Sequence, residues 1–340
     1  MTATHAIGDL TGGAARVPGQ IRTRPTPNCY LCKSPGTPLH KDLTDSLFGA
    51  PGAWNLVQCP DPKCGLVWLD PMPVEGDLGK AYAKYYTHGD APIRLSRVAS
   101  LMRRKGQVFR SLLNPARRER EKLLLMDVAK ITPGILLDIG CGDGTCIAQL
   151  QSLGWKAYGQ DLDPAAVRHA RETLGLQAFL GQLEDVPLPE NSVDFVTLNH
   201  VIEHVHDPIG LLEQSRRFLK AGGRLVVITP NVESFAHKHF GRSWRGLEPP
   251  RHLHLFSPRT LSKVVLTAGF SQVANLRTSV GNAQIFAHGS LAVKNGSPLP
   301  LTPLSMLGRE IQTYGVLYRS FFHHMKDLNS GEEIVLHAVR

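Results

Sequence analysis

The stretch Ile135-Leu-Leu-Asp-Ile-Gly-Cys-Gly-Asp-Gly-Thr145 narrows the folds open to this chain more than any other. A short apolar run, Ile135 to Ile139, breaks off at Gly140, Gly142 and Gly144, and a helix-compatible stretch follows from Thr145 to Leu153. That order reads as a buried parallel strand, a glycine turn and a helix N-terminus, the opening of a Rossmann-like βαβ unit. Glycines let the backbone come close to a ligand. Asp161 closes the next apolar run, Trp155 to Gly159, where a carboxylate can take both ribose hydroxyls of an adenosine.

Charge decides which adenosine. The dinucleotide fingerprint G-x-G-x-x-G/A has a small residue where this chain has Thr145, and Asp138 and Asp143 would repel a pyrophosphate. S-adenosyl-L-methionine carries a sulfonium, an ammonium and no phosphate, so the loop suits it better than NAD. Further blocks follow in order: Gly159-Gln-Asp-Leu-Asp-Pro164, Gly181-Gln-Leu-Glu-Asp-Val-Pro-Leu-Pro189, the run from Asn191 to Pro208, and Leu219 to Pro230. Together they resemble the second strand, adenine loop, fourth strand and fifth strand of class I S-adenosylmethionine-dependent methyltransferases. The competing readings are an NAD- or nucleotide-binding Rossmann domain and a relative that has lost activity. The resemblance implies an α/β Rossmann-like methyltransferase fold, whose seven-stranded sheet is mostly parallel with an antiparallel last strand. It places the cofactor on Asp138, Gly140, Gly142, Asp161, Gln182, Leu183 and Asn199. Asp138 would orient the ammonium, Asp161 the ribose, and Leu183 with Gln182 the adenine.

Six cysteines in a chain without a signal peptide's charged and apolar regions read as metal ligands or free thiols rather than disulfides. Cys29-x2-Cys32 and Cys59-x4-Cys64 are two short pairs set among turn residues, a pattern that can close a tetrahedral structural zinc site. A small polar region of this kind would draw much of its stability from the metal. The run Cys64-Gly-Leu-Val-Trp-Leu-Asp-Pro-Met-Pro73 resembles the zinc-ribbon region ahead of some bacterial sugar and small-molecule methyltransferases. Cys141 and Cys146 read as packing residues.

The expected organisation is a disordered leader over 1–28, the ribbon over 29–75, and a helical basic linker or lid over 76–122. The methyltransferase domain covers 123–280 plus 333–340, and 281–332 forms an insertion over the active-site face. Tyr82, Tyr85 and Tyr86 follow in a short helical segment. In the enzymes this chain resembles, an aromatic N-terminal segment lids the cofactor, and plain packing is the reading favoured for any single one of the three. From Ile93 to Lys122 there are ten Arg or Lys and two acids, with apolar residues at helical spacing. With a net charge of +9, this stretch allows contact with phosphates or a membrane surface, or is simply a solvated face. No apolar run approaches the ~20 residues that span a bilayer, and the expected location is cytoplasmic.

For chemistry, His200, Glu203 and His204 fall at i, i+3 and i+4, on one face if the turn is helical. H-x-x-E-H matches an inverted zinc-peptidase motif, but Asp207-Pro208 interrupts a helix at once. The string is more similar to the E-x-x-E-H metal-binding string of quinone-precursor O-methyltransferases and small-RNA 2'-O-methyltransferases. It keeps Glu203 and His204 and has His200 for the first Glu. His204 as general base, a second divalent metal held by the cluster with His252 or His254, and a purely structural turn remain open. The reading that follows is methyl transfer by SN2 displacement to a small-molecule or glycan-precursor acceptor, with an acidic acceptor in keeping with the basic balance. The alternatives are an RNA methyltransferase and a non-catalytic zinc-ribbon adaptor.

Overall fold

A computed structural model describes residues 20–83, 114–125, 128, 131–296 and 303–340, with side chains from residue 308 onward in the last stretch. Tyr85, Tyr86 and the basic stretch up to residue 113 lie outside the described residues, as do 1–19 of the expected leader. Chain order gives strands β1 (Thr23–Arg24), β2 (Thr37–Leu43), β3 (Trp54–Gln58), β4 (Val67–Leu69) and β5 (Met72–Pro73), then helix α1 (Glu75–Leu78) and a 3-10 turn, Gly79–Tyr82. After α2 (Arg117–Leu124) the alternating half begins: β6 (Ile135–Ile139), α3 (Thr145–Ser152), β7 (Lys156–Asp161), α4 (Pro164–Glu172), β8 (Ala178–Leu180), β9 (Val193–Asn199), α5 (Pro208–Phe218) and β10 (Leu219–Pro230). Next come α6 (Phe235–Phe240), β11 (His254–Leu255), α7 (Pro258–Thr267), β12 (Gln272–Ser279), α8 (Ala283–Asn295), α9 (Pro303–Lys326) and β13 (Glu333–Val339).

Seven strands form the main sheet in the order β12-β13-β10-β9-β6-β7-β8. Neighbours from β10 to β8 run parallel, and β13 lies antiparallel between β10 and β12. This is the sheet the resemblance implies. β6 and β9 are buried along nearly their whole length, which explains why they read as continuous apolar runs. The chain leaves β6 toward β7 and β8, then returns to β6's other side as β9. The carboxyl end of β6 is therefore a topological switch point, where open α/β sheets bind ligands.

The N-terminal module is not the separate unit that the boundaries 29–75 suggest. Its sheet has four strands, β11-β4-β3-β2, and β11 belongs to the methyltransferase half. One apolar core runs through both parts, from Leu66, Trp68 and Leu69 to Leu253, Phe256 and Leu261. Residues 20–28 join the module rather than the leader. β1 pairs with β5, and Arg22 closes onto the buried Asp77 through its backbone N–H and guanidinium, both at 2.9 Å.

The expected insertion at 281–332 is the helix pair α8 and α9, ending in a buried polar hinge. Glu332 there is fully buried and accepts from Ser320 Oγ at 2.9 Å and the Ala236 amide at 3.2 Å. Burial pushes its carboxyl up to about 7. A folded pKa above the unfolded value favours the native state at low pH and loses that contribution as pH rises from the unfolded pKa toward 7. Glu332→Gln should thus gain stability over the parent chain progressively between pH 5 and pH 8, reaching about 1–3 kcal/mol in chemical denaturation. A constant difference across that range would contradict the assignment.

Candidate functional site

The glycine turn after β6 is built around one buried residue. The backbone carbonyl of Gln160, the penultimate residue of β7, accepts from the amides of Gly140 (2.8 Å) and Cys141 (3.0 Å), and its side-chain Nε2 donates to Gly181 O at 2.6 Å. One residue thus ties together the glycine turn, the ribose position and the turn carrying Gln182 and Leu183. Gly140 adopts φ 68, and a Cβ there would meet Val201 Cγ2 at 2.5 Å. Gly142 has φ 56 and nothing within 4 Å of a Cβ position, so its face of the turn is open to a ligand.

Two carboxylates flank that opening. Asp161 accepts from the amides of Gly142 and Asp163, both at 2.8 Å, leaving further lone pairs on both oxygens. Asp138 is 2% exposed and accepts from Thr197 Oγ1 at 2.7 Å, across the β6–β9 pairing that sets them side by side. Burial, aided by the Asp161 charge, pushes the Asp138 carboxyl up to about 7. A cation beside the pair favours ionisation and is favoured by it. Leu183 is buried in a short 3-10 turn that Gln182 and Asp185 cap reciprocally. Leu162 and Leu180 stand exposed at the ends of the paired strands β7 and β8. Asn199 ends β9 opposite Ile228.

His200 opens the other side in a left-handed conformation, φ 55, so the helical face expected for His200, Glu203 and His204 does not form. Only Ile202–His204 turns, as a 3-10 helix. His200 and Glu203 still meet, Nδ1 to Oε1 at 3.1 Å, and the far ring nitrogen lies 2.7 Å from Glu333 Oε1. Although burial opposes its charge, these two carboxylates raise the imidazole to about 10, and His200 is a fixed cation. Its charge in turn holds Glu203, which burial alone would raise, down to about 2. Glu203 also accepts from Thr229 Oγ1 (2.9 Å), and Asn282 donates to Glu333 (2.8 Å).

His204 faces a different set. Its Nδ1 lies 3.0 Å from the Arg251 carbonyl and 3.0 Å from the Tyr82 hydroxyl. A carbonyl only accepts, so Nδ1 carries the hydrogen and Nε2 of the neutral ring keeps its lone pair. The His252 ring sits 4.7 Å away, edge-on, and its Nδ1 is likewise committed to Gly246 O at 2.8 Å. Burial, then the His204 charge, lowers His252 to about 4, and it is neutral near pH 7. His254 is turned away, onto Val205 O.

Arg251 holds this arrangement. Its guanidinium is fully buried and donates to Asp45 (2.8 Å), Glu248 (3.0 Å) and the Ala81 carbonyl (2.9 Å), above the Phe48 ring at 4.6 Å. The module, the 3-10 turn ending at Tyr82 and the His204 loop therefore share one ionic joint.

The four module cysteines converge. Cys29 and Cys64 have sulfurs 3.6 Å apart, Cys32 and Cys59 3.3 Å, and all four lie within 4.8 Å of one another. A disulfide would need ~2.05 Å. Four thiolates at ~2.3 Å from one zinc would stand ~3.8 Å apart, close to what is seen. Glu203, His204 and His252 form a second group with ligand-type atoms within 4.8 Å. His200 is not in it, because both its nitrogens face carboxylates.

Sequence reasoning missed Gln160, Thr197, Asn282, Glu333 and the ionic role of Arg251. A glutamine inside an apolar strand, and a glutamate pair opening the last strand, were the signals available.

A family model described as "Methyltransferase domain" matches residues 95–275. A "probable S-adenosylmethionine-dependent methyltransferase" of Mycolicibacterium smegmatis is 33% identical over 138 residues, 40% of this chain and 51% of the relative. A ubiquinone biosynthesis O-methyltransferase of Cereibacter sphaeroides is 34% identical over 149 residues, 41% of this chain and 60% of the relative. The chain thus spans about half the length of these curated relatives. The crystal structure of a SAM-dependent methyltransferase from Archaeoglobus fulgidus aligns with a TM-score of 0.43 at 17% identity, covering 65% of this chain and 92% of that one.

Removing the shared cation isolates its contribution. Arg251→Met leaves Asp45 and Glu248 buried and uncompensated, and urea denaturation should show a loss of about 3–5 kcal/mol. A loss below about 1 kcal/mol would mean the joint carries little of the fold.

Proposed function

This chain belongs to the methyltransferase-domain family, and on that premise we propose that it transfers a methyl group from S-adenosyl-L-methionine to a hydroxyl or carbon of a small-molecule or glycan-precursor acceptor. The observation that carries the reading is the pair of carboxylates, Asp138 and Asp161, beside the open face of Gly142 at the sheet's switch point. A phosphate-bridged dinucleotide would meet the Asp161 charge and drive the Asp138 carboxyl further toward its neutral form, whereas a sulfonium with an ammonium meets attraction and favours ionisation of both.

When bound, the cofactor supplies an already activated methyl for SN2 displacement. The protein's part is alignment and exclusion of water. Asp161 would hold the ribose hydroxyls, Asp138 the ammonium, and the backbone of Gly140 and Gly142 the methionine moiety. Leu162 and Leu183 would sandwich the adenine, with Gln182 and Asn199 offering polar contact at its rim and beside the methyl. His204 is proposed as the base that takes the acceptor's proton on Nε2. The Arg251 carbonyl and the Tyr82 hydroxyl fix its tautomer and orientation from the other side. His200 and Glu203, locked together, would position the turn rather than exchange protons.

We assign the cysteine cluster a structural zinc ion held by Cys29, Cys32, Cys59 and Cys64, on the strength of sulfur spacing. A second reading is favoured by one observation, the proximity of Glu203, His204 and His252. It has a divalent metal there positioning the acceptor oxygen. Against it, Glu203 already serves His200 and Thr229.

Calorimetry with S-adenosylmethionine tests the leading reading. Asp161→Ala should weaken binding by about 1.5–3 kcal/mol, as for hydrogen bonds to a charged group. His204→Ala should abolish turnover while cofactor affinity stays within a few-fold. Unchanged affinity in the first variant, or full turnover in the second, overturns the respective role. Binding without turnover on any acceptor would favour the adaptor. Inhibition by EDTA with the cysteine-bound zinc retained would favour the second metal.

A further inference from the structure

We propose that the cleft between the cysteine module and the loop 242–249 is an oxyanion subsite, taking the phosphate or carboxylate end of the methyl acceptor. Naming the acceptor as its ligand rests on the function proposed above; the anion binding itself does not. The cleft offers about 30 Å³ of cavity between the turn Thr44–Leu47 and the residues from Arg242 to Pro249, with Val293 also lining it.

Its two acids are already committed. The Asp45 carboxylate accepts from Arg251 and from the amides of Leu47, Phe48 and Ala50, and Glu248 accepts from Arg251. What remains are donors and cations. Arg242 stands at the rim, with one nitrogen on the carbonyls of Lys41 and Asp42. The half-buried Arg245 lines the wall, and no acceptor takes its guanidinium among the described residues. Trp244, which also lines the cleft, is 1% exposed, and its Nε1–H has no hydrogen-bond partner among the described residues. A buried donor without an acceptor is rare in folded proteins and calls for a ligand or an ion.

The loop is also held in an unfavourable backbone. Glu248 adopts φ 33, and non-glycine residues kept at positive φ gather at binding and active sites. The indole packs so closely on Gly246 that a Cβ there would meet it at 2.3 Å, and the Gly246 carbonyl fixes His252. An anion gripped by Arg245 and Trp244 is therefore one residue-layer from the His204–His252 pair. Such placement would anchor an acidic acceptor by its far end while its methylated atom meets His204.

Titration of the zinc-loaded chain with inorganic phosphate, followed by isothermal calorimetry at constant ionic strength, tests this. Acetate in a parallel titration distinguishes a phosphate from a carboxylate preference. Saturable phosphate or acetate binding is expected, weakened at least about fivefold in Arg245→Gln and also weakened in Trp244→Phe, which keeps the ring but not the N–H. Cofactor affinity should stay unchanged in both variants. Absence of saturation with both anions, or equal affinity in Arg245→Gln and the parent, overturns the subsite. Loss of S-adenosylmethionine binding by the parent chain would instead strike the proposed reaction and leave the anion result standing.

Discussion

The five residues Arg251 to Leu255 belong to two structures at once, and the acceptor side of the molecule depends on that sharing. His254 and Leu255 form the edge strand of the cysteine module's sheet against Val67 and Trp68. The Leu69 amide donates to Leu253 O, and the Leu253 amide donates to Glu203 O at 2.7 Å. Just upstream, Arg251 spends its charge on Asp45 and Glu248 and its carbonyl on His204. Thr260 adds a hydroxyl to the Cys64 carbonyl. A module that looks like an appendage in sequence is thus the wall against which the His204 turn is set.

The two halves of the site obey different electrostatics. On the cofactor side, two carboxylates face an opening with no cation of their own among the described contacts, a field that rewards a positive ligand. On the proposed acceptor side the buried charges of His200 and Arg251 are answered among the described residues, His200 by Glu203 and Glu333, Arg251 by Asp45 and Glu248. Buried pairs of this kind add little net stability, but breaking one is costly, so they specify geometry more than they strengthen the fold. That leaves His204, its tautomer set by a carbonyl, as the group proposed there to take the acceptor's proton.

The geometry of the proposed cofactor half, its glycine turn and the carboxylate after β7, was legible in the sequence because its determinants are local. Gly140, Gly142 and Asp161 follow from strand period, turn chemistry and the spacing of one βαβ unit. β13 was legible from its β-rich pattern, and the cysteine pairs from their spacing. The acceptor half was not, because its contacts join residues far apart in the chain. Tyr82 reaches His204 across 122 residues, and His200 reaches Glu333 across 133. The expected helical face failed for a local reason: His200 takes a left-handed backbone so that its amide can donate to Ile228 O. The module's boundary failed for a tertiary one, since a two-residue strand such as β11 leaves no periodicity to read.

Amide hydrogen exchange on the chain and on its Cys64→Ser variant bears most directly on this dependence. The account predicts faster exchange at Leu69, Leu253 and the His200–Val205 turn in the variant. Amides of Gly140, Cys141 and the strands Ile135–Ile139 and Lys156–Asp161 should keep their protection, and S-adenosylmethionine affinity should stay within a few-fold. Unaltered protection at Leu69 and Leu253, once the cysteine site is broken, would show that the acceptor wall stands without the module.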